Sequence, residues 1–290
     1  MAKLKSNRLS DWLIIIFVSF SVLLCLFPML NVLAVSLSSN NAILNSKVVF
    51  WPVEVTWASY KAIFADASMI RSLLFTIQMT AIYTALSMGL TIACAYPLSK
   101  THLKGRGIFT LFIIFTMYFS GGMIPHYLLV QSLHLLNTQW ALILPGAIST
   151  FNVIIMRTFF SQLPENLEEA AMIDGASDAY ILLRITLPLS TAVIATLSLF
   201  YAVGKWNSFQ DALFYITKTE LYPLQLKLNA IISNAQNVDP LVEGVQAVET
   251  QLPESIKAGC IIFATLPILV VYPWLQKYFV KGVTLGAVKG

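Results

Sequence analysis

Five carboxylates, Glu165, Glu168, Glu169, Asp174 and Asp178, fall within fourteen residues of a chain that is otherwise mostly apolar. They belong to the stretch LPENLEEAAMIDGASDAYILLRITLPLS, residues 163–190. The chemistry open to them is pairing with basic groups, because an ionised acceptor roughly doubles the strength of a hydrogen bond. Ala170 and Ala171 stand among the acids with almost no side chain, so a second surface can approach that face closely. By periodicity alone the stretch reads rather as a surface helix whose acids merely keep it soluble.

Other chemistries lack their residues. The chain has no GxxxxGK[ST] loop to cradle phosphates and no Gly-x-Ser-x-Gly nucleophile element. His102, His126 and His134 are scattered at loop positions. Cys25, Cys94 and Cys260 each lie inside an apolar run, without CxxC or Cys/His ligand spacing, and read as small buried hydrophobes. No catalytic residue, no metal site, no cofactor and no nucleic-acid partner of this chain is expected.

The elements that must position the acidic stretch follow from composition. Of 290 residues, 57% are hydrophobic types and 11% are charged, against roughly 45–50% and 25% in soluble domains. The mean hydropathy is +0.75. A soluble fold cannot hide that much apolar surface, so lipid must be the solvent for much of it. Six apolar runs of spanning length occur at about 12–37, 71–98, 107–128, 140–160, 187–214 and 256–280. They lack the alternation of barrel strands and predict long, uninterrupted helices, hence an all-α membrane protein. The first run follows Lys3, Lys5 and Arg8 as a signal peptide would, but its apolar core is longer than one.

Orientation follows from lysine and arginine near the span ends. Lys3, Lys5 and Arg8 precede the first span, Lys100, Lys104 and Arg106 follow the second, and Lys277, Lys281 and Lys289 lie at the C-terminal end. The connection after the third span has neither residue type. Residues 1–11 and 281–290 are therefore placed in the cytoplasm around a membrane domain of 12–280, with an outer loop at 215–255. That topology puts segment 161–190 in the one long cytoplasmic loop.

Within it, Pro164 suits a helix's first turn, and the early glutamates suit the positive end of the dipole. Gly175 is placed to end that helix at positive φ, and Ser177 to cap a second one that closes near Pro188. The spacing Glu169-Ala170-Ala171, three residues, Gly175, nine residues, Ile185-Thr186-Leu187-Pro188 then matches a known signature at every fixed position. It resembles the EAA loop of permease subunits of bacterial ATP-binding cassette importers. WPVEVTWASYKAIF at 51–64, WNSFQDAL at 206–213 and the ending GVTLGAVKG resemble the carbohydrate-uptake branch of that family, in particular its subgroup for complex, uronate-containing oligosaccharides.

The resemblance implies the type I importer permease fold, with six transmembrane helices and a cytoplasmic coupling helix. It implies a subunit in the bacterial cytoplasmic membrane that pairs with a second, homologous but different permease chain. It also implies two ATPase subunits, which bind ATP and magnesium, and an extracytoplasmic binding protein that delivers the oligosaccharide. Carried onto this sequence, Glu168, Glu169, Ala170, Ala171, Asp174 and Gly175 form the ATPase-docking element. Ile185, Leu187 and Pro188 join it to the fifth span.

Polar groups inside spans usually face the bundle interior. Tyr118, Asn152, Lys205, Trp206, Asn207, Gln210 and Asp211 are the candidates for a solute path, with Gln78 beside them. Sugars are held by aromatic faces and hydrogen-bonding side chains, which suits Trp206-Asn207, and Lys205 would favour a carboxylated sugar. Against this, Lys205 and Asp211 can snorkel to the outer interface, and Asn152 can bond a neighbouring helix. An importer of the same architecture for peptides, amino acids or anions is the alternative. An ATPase-independent carrier or channel is another, although no repeat relates 1–140 to 141–290.

Overall fold

The computed structural model describes residues 8–236 and 253–287, and every regular element among them is a helix. In chain order these are α1 (Arg8–Ser36), α2 (Asn40–Leu44), α3 (Ala58–Ala65), α4 (Ala67–Ser99), α5 (Arg106–Tyr118), α6 (Met123–Ser132), α7 (Trp140–Ile143) and α8 (Thr150–Phe160). Next come α9 (Glu165–Ile173), α10 (Asp178–Ile181), α11 (Leu187–Leu189), α12 (Thr191–Asn207), α13 (Gln210–Tyr215), α14 (Leu224–Gln236) and α15 (Glu254–Ala287). A π-helical turn, Leu182–Thr186, joins α10 to α11.

Two compact units share these elements. One draws on Met1–Ile70 and Leu228–Leu266, the other on Arg71–Lys227 and Pro267–Gly290. In the first unit, α1 leaves Trp12, Phe17, Phe20, Leu23 and Leu24 exposed. An apolar stretch exposed on every side is suited to lipid, whereas the C-terminal end of α1 packs within its unit: Phe27 meets the Phe50 ring edge to face and Ala34 is buried. The 29 residues of α1 reach about 43 Å at 1.5 Å per residue, more than a hydrocarbon core of about 30 Å. Beyond α1, Ser38 Oγ donates to the Ala34 carbonyl (2.7 Å) and accepts from the Val53 N–H (3.0 Å), fixing the chain reversal. Gly259 lets α15 approach α3: a Cβ there would lie 3.0 Å from Ile63 Cδ1.

In the second unit, α4 supplies Met79, Tyr83, Met88, Ala95 and Tyr96 to a core that also takes Leu142, Met156, Phe160, Leu197 and Tyr201. Thr76 on α4 is fully buried; its hydroxyl donates to the Ser72 carbonyl (2.7 Å) and accepts from the Leu224 N–H (2.8 Å). That contact satisfies a free donor at the start of α14, as a buried helix end requires.

The runs 12–37, 71–98 and 256–280 form the single helices α1, α4 and α15, but the other three are interrupted. Run 107–128 becomes α5 and α6, bent by 113° across Phe119-Ser120-Gly121-Gly122. Gly122 takes a φ of +83° there, which glycine alone adopts cheaply. Run 140–160 becomes α7 and α8, parted around Pro145-Gly146. Run 187–214 breaks at Ser190, with an 82° bend from Asp178–Leu189 to Thr191–Asn207, and again before α13. Among the described residues, three helices are thus long and apolar enough to cross a membrane alone, or up to five if each bent pair is one span, by length and composition. An average over some twenty residues cannot register a bend made by two or three small ones. In the stretch 215–255, expected as an outer loop, α14 occupies part, and 237–252 lie outside the described residues. Helix α15 continues to Ala287, into the stretch set apart as a tail.

Candidate coupling segment and polar cavity

The acidic stretch folds as two short helices around a glycine turn. Pro164 precedes α9, and Glu165 and Glu168 lie in its first turn. At the other end the Gly175 N–H donates to the Met172 carbonyl (3.0 Å) and the Ala176 N–H to the Ala171 carbonyl (2.9 Å), with Gly175 at φ +83°. This pair of bonds is the Schellman ending, which satisfies carbonyls that the helix leaves free. Ser177 then accepts from the Tyr180 N–H (3.3 Å) and caps α10.

The segment is anchored on both sides of the run from Glu169 to Gly175, which buries no residue. Leu163, Leu182 and Leu187 pack on the core, and Ile181 and Thr186 are buried. Ile185 is half-buried and Pro188 exposed. Helix α9 buries no residue: Glu169, Ala170, Asp174 and Gly175 are exposed, and Ala171 is half-buried. Ile173 is 86% exposed, beside exposed Met172 and Leu167. By its spacing Leu167 shares a face with Ala170, Ala171 and Asp174, but sequence reasoning gave Met172 and Ile173 no part, although both lie between Ala171 and Asp174 in the signature itself.

Glu168, expected on the docking face with Glu169, is paired with Lys100 just beyond α4, both side chains largely buried. The Lys100 ammonium also sits 4.3 Å above the Tyr96 ring, and the Tyr96 hydroxyl reaches the Asp178 carbonyl (3.4 Å). Arg157 Nε donates to the Leu98 carbonyl (3.0 Å), so the end of α4 is bonded to α8 as well. A charge-assisted contact thus ties α9 to the end of α4. Reversing either charge alone, Lys100→Glu or Glu168→Lys, is expected to lower coupled uptake about tenfold, since isolating one ion of such a pair costs roughly 1–3 kcal/mol. The double reversal should recover most of the loss, short of the Tyr96 cation–π contact. Uptake by the three variants measures it.

The solute-path candidates do not form one group. A polar cavity of about 340 Å³ brings together Asn152, Lys205 and Asp211 with Tyr83, Ser149, Tyr201 and Ser208. Lys205 is 6% exposed and contacts Asp211 at 3.3 Å, its ammonium 5.0 Å from the Tyr83 ring centre. The Tyr83 hydroxyl donates to the Gly146 carbonyl (2.6 Å). The Tyr201 hydroxyl accepts from the Ser149 N–H (3.1 Å) and shares a hydrogen bond with Thr91 (2.7 Å). Trp206 lies elsewhere, in an almost wholly apolar cavity of about 790 Å³ with Ile77, Met88, Pro267 and Val271. Its neighbour Asn207 is exposed and donates to the Val203 carbonyl (3.0 Å), while Tyr118 and Gln210 are exposed outside both cavities. Tyr83 and Tyr201 went unnoticed in the sequence, where each is one more aromatic in an apolar run.

Residues 106–285, which hold the acidic segment and most of the polar cavity, match the family described as "Binding-protein-dependent transport system inner membrane component". The chain is 44% identical to Protein LplC of Bacillus subtilis (strain 168), over 100% of this chain and 98% of that protein. It is 41% identical to the polygalacturonan/rhamnogalacturonan transport system permease protein YtcP of the same organism, over 98% and 99%. Its fold matches a chain in a crystal structure of a bacterial ABC transporter involved in the import of the acidic polysaccharide alginate. The TM-score is 0.86 at 30% identity, covering 96% of this chain and 99% of that one. The chain belongs to the binding-protein-dependent transport system inner membrane components, the permease subunits of ABC importers.

Proposed function

We propose that this permease carries oligosaccharides, delivered by an extracytoplasmic binding protein, across the bacterial cytoplasmic membrane. Segment 161–190 receives the drive from an ATPase pair that hydrolyses ATP outside this chain. The observation that carries the reading is the exposed run from Glu169 to Gly175, held between anchored ends at the signature's spacing. The substrates named for the relatives, polygalacturonan and rhamnogalacturonan for one and alginate for the matching structure, support a sugar cargo. The permease partner is a second, homologous chain.

In this reading the chain crosses the membrane six times with both termini in the cytoplasm. The spans are α1, α4, the bent pair α5–α6, α7 with α8, the bent run ending in α12, and α15. Glu169, Asp174 and the small residues Ala170, Ala171 and Gly175 face the ATPase, joined by Met172 and Ile173.

Purification of the tagged protein in mild detergent from its host tests the assembly. An ATPase subunit and a second permease are expected to accompany it, and ATPase activity should rise when the binding protein carries sugar. A chain that purifies alone and transports in vesicles without ATP would overturn the proposal.

A further inference from the structure

The polar cavity contains a lysine in a place where lysine is costly. A charge taken out of water loses several kcal/mol of solvation unless partners replace it. At 6% exposure Lys205 does not snorkel to an interface, which removes the alternative that its sequence position allowed. Among the described residues its ammonium, with three donors, makes one ion pair, to Asp211. At 3.3 Å that contact is longer than the roughly 2.7–2.9 Å of a strong charge-assisted bond. The two partners are unequal: the cation is buried, while the Asp211 side chain is 42% exposed.

The cavity around the pair is already built. Tyr83 and Tyr201 pack edge to face with ring centres 5.9 Å apart, and both hydroxyls are tied to the stretch Gly146–Ser149. They present fixed aromatic walls, and buried Asn152 lines the same space. Its volume falls at the small end of ligand sites.

We propose that Lys205 is the cation of a carboxylate subsite for an acidic sugar unit, and that Asp211 is its resident counter-ion, displaced when a sugar carboxylate enters. This inference rests on the oligosaccharide reading above and deepens it. Exchanging one carboxylate for another keeps the ammonium paired throughout, so passage never leaves a bare buried charge. The exposed Asp211 takes up water instead, at little cost. A neutral sugar lacks the anion for this exchange and meets the closed Lys205–Asp211 pair.

The test uses the complete importer in proteoliposomes with its binding protein, a short oligogalacturonide, and the methyl ester of the same sugar. Both sugars are first shown to bind the binding protein. The wild-type complex should take up the acid in preference to the ester. Lys205→Gln should lower the acid-to-ester uptake ratio about tenfold, the effect of losing roughly 1.4 kcal/mol of differential interaction. Because Lys205→Gln leaves Asp211 unpaired, the double variant Lys205→Gln/Asp211→Asn removes both charges together and should show the same fall. An unchanged ratio in the double variant would mean that the pair is only structural. A wild-type complex that moves the ester and not the acid would sink the subsite alone, whereas one that moves neither sugar would sink the oligosaccharide reading itself.

Discussion

Glu169→Lys is expected to abolish ATP-coupled uptake while leaving the chain folded in the membrane. Glu169 is exposed, and no hydrogen bond or ion pair within the described chain engages it, so its replacement disturbs no internal contact. Its neighbour Glu168 would remain paired with Lys100. On the proposed docking face, by contrast, a lysine would meet the basic groups that Glu169 is placed to bind. Losing one partner of a desolvated charge pair costs about 2–5 kcal/mol. Uptake should therefore fall by roughly 100-fold or more. Detergent-purified protein should lose the ATPase subunit yet keep the second permease. Glu169→Gln, which retains the shape and some hydrogen bonding, should fall between. Normal ATPase recovery and uptake with Glu169→Lys would remove Glu169 from the docking face.

Gly175→Val should produce the next largest loss, by a different route. Gly175 sits at φ +83° with nothing within 4 Å of a Cβ, so the obstacle is backbone conformation and not space. Left-handed backbone costs an L-residue roughly 1–2 kcal/mol, and a β-branched side chain makes it worse. The Schellman bonds to Met172 and Ala171 would loosen, and Ile173 and Asp174 would lose their fixed place. Uptake should drop about tenfold or more. Gly175→Asn tolerates left-handed φ and should cost far less, which separates a backbone effect from loss of a small contact surface. Equal losses for valine and asparagine would point to the surface instead.

Both residues sit in a segment whose local geometry is legible in the amino-acid sequence. Pro164, Gly175 and Ser177 act on backbone groups within a few positions of themselves, so their types and spacing suffice to place a helix, a left-handed turn and a second helix. The fixed spacing from Glu169 to Pro188 then points to a permease family that the comparisons establish. Legibility ends where a side chain's role depends on a distant partner. Glu168 and Glu169 look interchangeable in the sequence, but successive residues on a helix point roughly 100° apart. Only one of them can reach Lys100, 68 positions away.

By itself, then, the sequence determined that lipid is the solvent, that the chain is helical, and where the coupling segment begins, turns and ends. These follow from composition and from short-range backbone chemistry. Only the tertiary structure decided which acids stay free, where three apolar runs bend, and which polar residues share a cavity. Lys205 and Trp206 are neighbours in the chain, yet one meets Tyr83 and Asp211 in a polar space and the other lines an apolar one. The physical reason is the same in each case: a helix sends adjacent side chains to different surroundings, and those surroundings are assembled by packing between elements far apart in the chain.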